Sequence, residues 1–248
     1  MVGARFVEVI ARRPDLRTAF PADFVRRLQG RTVESLQRRG KYLLAELSSG
    51  ELLVMHLGMS GWFRLAGAAE PAERHDHVVF HMSSGATIVF NDPRRFGSMA
   101  LLSRDALPGR RGVAALGPEP LSREFDAAAL ASACRRRKTS LKAALSDQRV
   151  VAGLGNIYLS EALHRAGLSP RRRASTLATR TGTPRESAVR LARAIRNVLT
   201  SAVEHGGDNR FRVYGREGER CPTRGCGGII RRITQAGRST FFCPRCQR

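Results

Sequence analysis

The sequence lacks long apolar runs, since no stretch approaches the roughly 18 consecutive apolar residues of a membrane-spanning helix. Its first residues, Met1 to Arg13, contain no apolar segment followed by a small-residue cleavage site, so no secretory signal peptide is expected. Both absences exclude a membrane partner and favour a cytoplasmic location. In the cytoplasm, the five cysteines are expected to bind metal or to remain thiols rather than to form disulfides.

Acidic residues are also scarce. The chain has 21 Asp and Glu against 43 Lys and Arg, which gives a formal net charge of +22 at pH 7. A field of this sign attracts polyanions, and DNA or RNA is the first candidate. With 42% hydrophobic residues, the 248-residue chain can still bury a core, as one large domain or two modest ones.

The first part of the chain predicts antiparallel strands. Short apolar or alternating runs are separated by turns such as Ser48-Ser49-Gly50 and Ser83-Ser84-Gly85, a pattern typical of hairpins. We therefore predict an antiparallel β-sandwich or flattened barrel. The predicted strands are 5–12, 36–47, 51–59, 78–82, 87–91 and 97–102, with a short helix at 21–28.

The pattern changes at Leu116-Gly117-Pro118-Glu119-Pro120, a stretch incompatible with helix that predicts a domain linker. Beyond it, 157–166 reads as a helix closed by Gly167. Thr183-Pro184-Arg185-Glu186 predicts a capping box with proline in the first turn. That box would open a helix ending at Gly206-Gly207, with one apolar stripe formed by Val189, Ala192, Ile195, Leu199 and Val203.

Two cysteine pairs near the end of the chain indicate a metal centre. Cys221-x4-Cys226 and Cys243-x2-Cys246 each place two thiolates on one tight turn, and 16 residues separate the pairs. Two such turns complete a tetrahedral site for one structural Zn²⁺ ion and leave no open position for catalysis. The strand-like segments 228–234 and 238–242 make the unit a β-hairpin zinc ribbon. Cys134 lies outside the pattern and is expected to be an ordinary thiol.

Several motifs occur in an order that resembles one family. They are Lys41-Tyr42-Leu43-Leu44, His56-Leu57-Gly58-Met59-Ser60-Gly61, His75-Asp76-His77, Asp92-Pro93-Arg94-Arg95-Phe96-Gly97, Leu116-Gly117-Pro118-Glu119-Pro120-Leu121, Gly153-Leu154-Gly155-Asn156-Ile157-Tyr158, Val213-Tyr214-Gly215-Arg216-Glu217-Gly218 and the cysteine ribbon. Together they resemble the formamidopyrimidine-DNA glycosylase (Fpg/Nei) family along nearly the whole chain.

The resemblance implies an α+β multidomain fold. An N-terminal antiparallel β-sandwich would span 1–115, a linker and helix-two-turn-helix domain 116–207, and the zinc ribbon 208–248. It also implies a monomeric base-excision-repair DNA glycosylase with AP lyase activity. Such an enzyme acts on double-stranded DNA. It removes oxidised purines such as 8-oxoguanine and formamidopyrimidines, and then cuts the strand at the abasic site. Its expected location is the cytoplasm, at the nucleoid when bound to DNA.

The resemblance also implies roles for individual residues. Met59, Arg94 and Phe96 match the void-filling residues, and a wedge, a cation and a ring suit the gap left by an extruded base. The alternative for Met59 and Phe96 is a place in the core. His75, Arg94, Arg137 and Asn156 match DNA-contacting positions. The alternatives are a solvated basic face for Arg137 and an N-cap for Asn156.

Two cations match catalytic positions of the family. Lys41 matches a lysine that reaches the active site from the β-domain, where it holds phosphate or assists elimination. Arg238 matches an arginine that reaches phosphate near the lesion and is linked to δ-elimination. For both residues the alternative is an ordinary exposed surface cation.

Two departures from the family pattern are expected to affect activity. The family starts its chemistry from an N-terminal proline followed by glutamate, whereas this sequence begins Met1-Val2-Gly3-Ala4. Either the natural start lies upstream, or the chain binds damaged DNA and excises poorly, as a catalytically silent damaged-DNA-binding protein. The segment between Gly207 and Phe211 is also shorter than the family's mobile loop, which would alter lesion selectivity. A general zinc-ribbon nucleic-acid protein would not explain Met59, Arg94 and Phe96 together.

Overall fold

The computed structural model describes residues 1–67, 70–109, 112–206 and 210–248. The chain forms two compact units, Met1–Ala114 and Ala115–Arg248. None of the helices in the described ranges combines the length and apolar character needed to cross a lipid bilayer.

The first unit is built from two antiparallel four-stranded sheets. One sheet has the order β1-β6-β7-β5 and the other the order β2-β3-β4-β8. Phe6, Phe80 and Phe90 from the first sheet share one buried cluster with Leu53 and Met55 from the second, so the sheets form the predicted β-sandwich. The strands are β1 Phe6–Ala11, β2 Val33–Arg39, β3 Tyr42–Leu47, β4 Glu51–His56, β5 Trp62–Ala66, β6 Asp76–Met82, β7 Thr87–Asn91 and β8 Ser98–Ser103, and the helix α1 spans Phe24–Leu28.

Two strand predictions in this unit were wrong. The run 36–47 is not one strand, because Gly40 adopts a φ of +59° and a turn at 40–41 folds it into the β2–β3 hairpin. The run 51–59 ends as a strand at His56, and a turn follows. The strand β5 was missed, since its sequence WFRLA places exposed Trp62 and Leu65 where a regular apolar alternation was sought.

The second unit is helical up to the ribbon. The apolar faces of its helices meet in one buried cluster that includes Leu130, Leu145, Leu159 and Leu191. The linker lies against this unit, since a Cβ on Gly117 would lie 2.5 Å from the carbonyl oxygen of Arg149. The helices are α2 Ala127–Cys134, α3 Leu141–Ser146, α4 Asn156–Ala166 and α5 Glu186–Glu204, with a 3-10 turn at Ala174–Leu177.

The start of α5 differs from the predicted capping box. The N-cap is Arg185 rather than Thr183, and no side chain caps the helix. The reason is that Pro184 forms a β-bridge with Ala178, which holds this segment extended. Val203 is 73% exposed, so the predicted stripe was wrong at its end. The buried face is Ser187, Ala188, Leu191, Ala192, Ala194, Ile195, Val198 and Ala202.

The C-terminal ends of both long helices follow the glycine rule. Gly167 has a φ of +69° after α4, as predicted, and Gly206 has a φ of +58° after α5. The rest of the predicted helix end and most of the short Gly207–Phe211 segment, residues 207–209, lie outside the described residues.

A two-stranded ribbon, β9 Arg231–Gln235 and β10 Arg238–Phe242, completes the second unit. The segment leading into it is anchored by Glu161, a buried residue of α4. The carboxylate of Glu161 accepts backbone hydrogen bonds from Arg212, Val213 and Tyr214, each 2.9 Å long. One buried charge therefore fixes the path of three consecutive residues.

We expect Glu161→Gln to destabilise the protein by about 2 kcal/mol, because an amide nitrogen would face the part-buried N–H of Arg212 and remove its acceptor. Chemical denaturation measures this loss. Glu217→Gln removes an equal charge from an exposed side chain and should leave the free energy of unfolding unchanged. Equal effects of the two variants would contradict the anchoring role.

Candidate nucleic-acid interface and metal centre

Met59 and Phe96 are exposed on two loops of the first unit, with 68% and 41% of their surface accessible. The loops lie in contact because Gly58 has no side chain: a Cβ there would lie 2.4 Å from the carbonyl carbon of Phe96. The guanidinium carbon of Arg94 lies 4.7 Å from the centroid of the Phe96 ring. The core alternative for Met59 and Phe96 is thereby excluded.

A buried carboxylate, Asp92, fastens these loops together. It accepts hydrogen bonds from the Ser60 hydroxyl at 2.5 Å and from the backbone N–H of Gly97 at 2.7 Å. The hydroxyl oxygen of Ser60 in turn accepts from the backbone N–H of Arg94 at 3.1 Å. These bonds fix the two loops to each other and so hold the exposed side chains in place.

The His75-Asp76-His77 motif is hydrogen-bonded to the loop that begins at Asp92. The backbone N–H of Asp92 donates to the carbonyl of His75 at 3.0 Å. The ring of buried His77 donates from Nε2 to the carbonyl of Asp92 at 2.9 Å. His75 itself is half-buried, with its ring centroid 6.4 Å from that of His77. The structure therefore places His75 beside the loop that carries Arg94.

Asp76 is the buried member of the motif. Its carboxylate pairs with Arg64 at 2.8 Å and accepts from the Asn91 amide at 2.8 Å and from the backbone N–H of Glu73 at 2.8 Å. Burial opposes ionisation, but these hydrogen bonds outweigh it and lower the pKa of Asp76. The charged carboxylate thus ties the start of β6 to the end of β7.

Lys41 lies in the β2–β3 turn, with an exposed side chain, rather than within a strand. His56, opposite Tyr42 across the β3–β4 ladder, accepts the backbone N–H of Gly58 on its Nδ1 at 3.0 Å. Burial first, and then the positive charges of Lys41 and Arg17, lower the pKa of His56. The charge of Lys41 therefore acts on His56, whose ring is bonded to Gly58 in the Met59 loop.

This lowered pKa predicts a dependence of stability on pH. The folded protein protonates His56 less readily than the unfolded chain, so the contribution of His56 is complete above about pH 6.5. It is lost as the pH falls through the lower folded pKa. His56→Asn keeps an acceptor for the N–H of Gly58 and removes the titration. Thermal midpoints between pH 8 and 5 should fall less for this variant, and parallel profiles would contradict the assignment.

In the second unit, Asn156 and Arg238 are brought together by the ribbon hairpin. Asn156 is the first residue of α4, after an N-cap at Gly155, so the N-cap alternative for Asn156 was wrong. Its Nδ2 donates to the carbonyl of Ser239 at 2.9 Å, next to exposed Arg238. Its Oδ1 is buried without a hydrogen-bond partner in the described part of the chain.

Lys142, from α3, lies at the same hairpin and was missed by sequence reasoning. Its side chain is fully buried, and Nζ donates to the carbonyl of Gln235 at 3.3 Å. Burial first, and then the charge of Arg238, lower the pKa of Lys142. Ala236 and Gly237 form the turn with φ values of +49° and +70°, as two-residue hairpins require. The tight turn sets Arg238 directly opposite Gln235.

Arg137 follows α2 and is half-buried. Its Nη1 pairs with Asp147 at 2.9 Å, and its Nε donates to the carbonyl of Ala133 at 3.0 Å. Arg149 shares the same carboxylate. Because Asp147 is shared between two arginines, it neutralises only part of the charge of Arg137. These contacts hold Arg137 in one orientation, unlike a mobile side chain on a solvated basic face.

The four ribbon cysteines converge as a metal site. Their Sγ atoms all lie within 4.8 Å of one another, with Cys221–Cys246 at 3.7 Å and Cys226–Cys243 at 3.6 Å. Zn–S bonds of about 2.3 Å in a tetrahedron place sulfurs about 3.8 Å apart. The cluster therefore fits one structural zinc ion, which when bound joins the two knuckles.

His164 of α4 supports this cluster from outside. Its Nε2 lies 3.4 Å from the sulfur of Cys221 and 3.3 Å from the hydroxyl of Thr223. Burial opposes ionisation of the Cys221 thiol, but hydrogen bonds from Thr223 and His164 outweigh it and lower its pKa to about 6. Burial and the neighbouring thiols raise the pKa of Cys246. The hydrogen bonds of Thr223 and His164 therefore favour the thiolate form of Cys221, which is the form that binds metal.

An antiparallel β-sandwich followed by helices and a four-cysteine ribbon, in a strongly basic chain, defines a zinc-containing nucleic-acid-binding protein. Three family models match its parts. The N-terminal domain of formamidopyrimidine-DNA glycosylase matches residues 1–99, its H2TH domain 116–212, and the zinc finger found in FPG and IleRS 218–248. The chain belongs to the formamidopyrimidine-DNA glycosylase family.

Individual relatives agree with this assignment. The chain is 57% identical to a formamidopyrimidine-DNA glycosylase of Bradyrhizobium sp. strain BTAi1, over 100% of this chain and 94% of the relative. The crystal structure of the Lactococcus lactis enzyme, non-covalently bound to DNA containing an AP site, has a TM-score of 0.88 at 34% identity and equal coverage. A structure of MutM with DNA containing carbocyclic 8-oxo-G has a TM-score of 0.87 at 33% identity, over 100% of this chain and 94% of that chain.

Proposed function

We propose that this chain is a base-excision-repair DNA glycosylase with AP lyase activity. Its substrates are double-stranded DNA with oxidised purines, such as 8-oxoguanine and formamidopyrimidines, and DNA with abasic sites. The observation that carries the proposal is the pair of fastened loops that present Met59, Arg94 and Phe96 to solvent. Solved relatives bound to abasic-site DNA and to 8-oxo-G DNA support it. The chain acts as a monomer in the cytoplasm.

The first step of the proposed reaction is extrusion of the damaged base. Met59 enters the gap, Phe96 stacks on a neighbouring base, and Arg94 donates to the orphaned partner base. The hydrogen bonds of Asp92 and Ser60 keep these side chains in place before DNA binds. Preorganisation matters because unstacking a base costs a few kcal/mol, and a mobile loop would add its own ordering entropy to that cost.

Cleavage of the bond between the extruded base and the sugar C1′ then releases the base and leaves an abasic site. Strand cleavage follows at that site, and cations hold the phosphates on either side of it. Lys41 and Arg238 stabilise the negative charge of the phosphate that leaves during elimination, and His75, Arg137 and Asn156 fix the backbone. The zinc ribbon, 208–248, presents Arg238, while the sandwich, 1–115, presents Lys41, and the helical part, 116–207, presents Asn156. The amine that attacks the sugar C1′, displaces the base and forms the iminium that borohydride reduces is not among these residues.

Borohydride trapping on an 8-oxoguanine duplex, beside an abasic duplex, tests the proposal. A covalent complex and released base are expected with the oxidised duplex. Trapping on the abasic duplex alone would restrict the activity to lyase chemistry. Damage-selective binding without trapping would favour the catalytically silent damaged-DNA-binding protein, and an absence of damage-selective binding would refute both functions.

The wedge role is tested by Met59→Ala. Loss of the Met59 side chain should lower affinity for the abasic duplex relative to undamaged duplex by about tenfold, since an apolar wedge offsets part of an unstacking cost of about a few kcal/mol. Leu65→Ala is the matched control, because Leu65 is an exposed apolar residue of the same unit, 76% accessible. Fluorescence anisotropy with both duplexes provides the ratio. If the control lowers it equally, Met59 has no specific role.

A further inference from the structure

A second basic site lies among the helices of the second unit, and its lining residues do not include Asn156 or Arg238. It is a pocket of about 600 Å³ between the end of α2, the 3-10 turn and the start of α5. Arg137, the phosphate contact of the proposed function, is not one of its lining residues. Its cationic lining residues are Arg135, Arg136, Arg172, Arg180 and Arg185.

The charges of these five arginines are not neutralised by the protein. Among the described residues, no carboxylate forms an ion pair with any of them. Elsewhere in the same unit the pattern is different, since Arg137, Arg149 and Arg216 each pair with a carboxylate. Concentrating unpaired cations in a concavity focuses a positive field there and costs stability by self-repulsion unless an anion binds.

Several of these arginines are held by the protein's own backbone and hydroxyls. Arg135 donates to the carbonyl of Arg180 at 2.6 Å, and Arg172 donates from Nε to the hydroxyl of Thr176 at 2.6 Å. Arg185 donates from Nε to the carbonyl of Ala178 at 3.2 Å. A guanidinium has five N–H donors, so each retains donors for a ligand. These bonds fix the orientation of the guanidinium groups before a ligand binds and so reduce the entropy lost on binding.

The remaining lining supplies neutral polar atoms. Ser175 and Thr179 contribute hydroxyls, and Ala178 contributes apolar surface. The hydroxyl of Thr176 is already used, because it donates to the carbonyl of Arg173 at 2.7 Å and accepts from Arg172. A guanidinium group donates to two oxygens of one phosphate, and hydroxyls donate to the oxygens that remain. The volume exceeds that of one phosphate group and lies in the range of ligand-sized pockets. From these contacts we infer that the pocket binds an anion with several consecutive phosphate groups.

Two sources present this chemistry: the backbone of a DNA segment outside the lesion-binding surface, and a free polyphosphate or nucleoside polyphosphate. The pocket contacts would be made to phosphate oxygens in either case, so no base sequence is read there. The inference goes beyond the proposed function, since it requires neither a lesion nor excision.

The test uses inorganic tripolyphosphate as the probe, titrated calorimetrically into the full chain at fixed ionic strength. The variant is Arg136→Gln with Arg180→Gln, because these side chains make no hydrogen bond or ion pair in the described part of the chain. The control is Arg165→Gln with Arg193→Gln, which removes the same charge from two exposed helical positions outside the pocket. Unchanged thermal midpoints and zinc content verify that both variants fold.

The native chain is expected to bind one tripolyphosphate. The pocket variant should bind it about a hundredfold more weakly or worse, because each of the two lost charge-assisted contacts weakens binding by about tenfold or more, and the control should retain native affinity. No binding by the native chain, or equal weakening in both variants, would overturn the inference. Arg136→Gln, as a single substitution, should lower the affinity in the same direction and guards against a folding defect in the double variant.

The second arm separates the two sources. With undamaged duplex DNA, the salt dependence of log Kd should flatten by about 1.8 in the pocket variant if both arginines contact the backbone, at about 0.9 per phosphate. An unchanged slope with lost tripolyphosphate binding identifies a free polyphosphate as the ligand. Because neither readout involves a lesion, failure of the glycosylase proposal leaves this result intact, and the reverse also holds.

Discussion

Cys243→Ser is expected to remove zinc from the protein and to lower its affinity for damaged DNA by about tenfold or more, the equivalent of one lost charge-assisted phosphate contact. Cys243 follows β10 directly, and its sulfur lies 3.6 Å from that of Cys226. Structural zinc contributes about 10 kcal/mol of apparent folding energy in small domains. Without the ion, the knuckles separate and the hairpin no longer presents Arg238 in a fixed position.

The measurements are zinc content per chain and anisotropy with an abasic duplex. Cys134→Ala provides the control, since this buried thiol lies in the helical cluster, and burial raises its pKa to about 11. That variant should retain one zinc and native DNA affinity, at some cost in stability from the vacated volume. A Cys243→Ser protein with one tightly bound zinc would show that three sulfurs suffice.

Gly58→Ala is expected to abolish the preference for damaged over undamaged duplex while leaving the sandwich folded. The added Cβ would lie 2.4 Å from the carbonyl carbon of Phe96 and 2.5 Å from its oxygen, and backbone atoms cannot yield as a flexible side chain can. One of the two loops must therefore move. Met59 and Phe96 would then no longer occupy the positions from which, in the proposed function, both act on the gap left by the extruded base.

A matched variant separates this contact from backbone strain. Gly50→Ala carries a similar penalty, about 1–2 kcal/mol for a left-handed conformation, because its φ is +80° against +72° at Gly58. Nothing lies within 4 Å of the added Cβ at Gly50. Gly50→Ala should therefore lower the thermal midpoint but retain the binding preference. Equal losses of preference in the two variants would attribute the effect to strain alone.

The features predicted correctly depend on short stretches of sequence. The cysteine knuckles are local patterns of four to six residues, and the structure brings all four sulfurs together. Gly167 closes α4 as predicted because a left-handed C-cap is a local requirement. The sandwich was predictable because alternating runs and turn residues mark several of its hairpins, although they did not mark the β2–β3 hairpin.

The features that were missed depend on contacts between distant residues. Ser60 and Asp92 are 32 positions apart, so no periodicity reveals that this pair fastens the loops that carry Met59 and Arg94. Lys142 sits in a short helix, where a lysine is ordinarily read as exposed, and its burial comes from a hairpin 93 positions away. The start of α5 was misplaced for the same reason, because the bridge from Ala178 to Pro184 competes with the local capping pattern.

The contacts along α4 also decide where this sequence can tolerate a change of length. Asn156 bonds to β10, Glu161 to the segment before the ribbon, and His164 to the cysteine cluster. One residue inserted between Asn156 and His164 would turn every later side chain by about 100° and shift it by about 1.5 Å. No single adjustment of the ribbon restores all three contacts after such a rotation. Insertions and deletions are therefore expected to be confined to connecting loops, while this helix keeps its length in every functional relative.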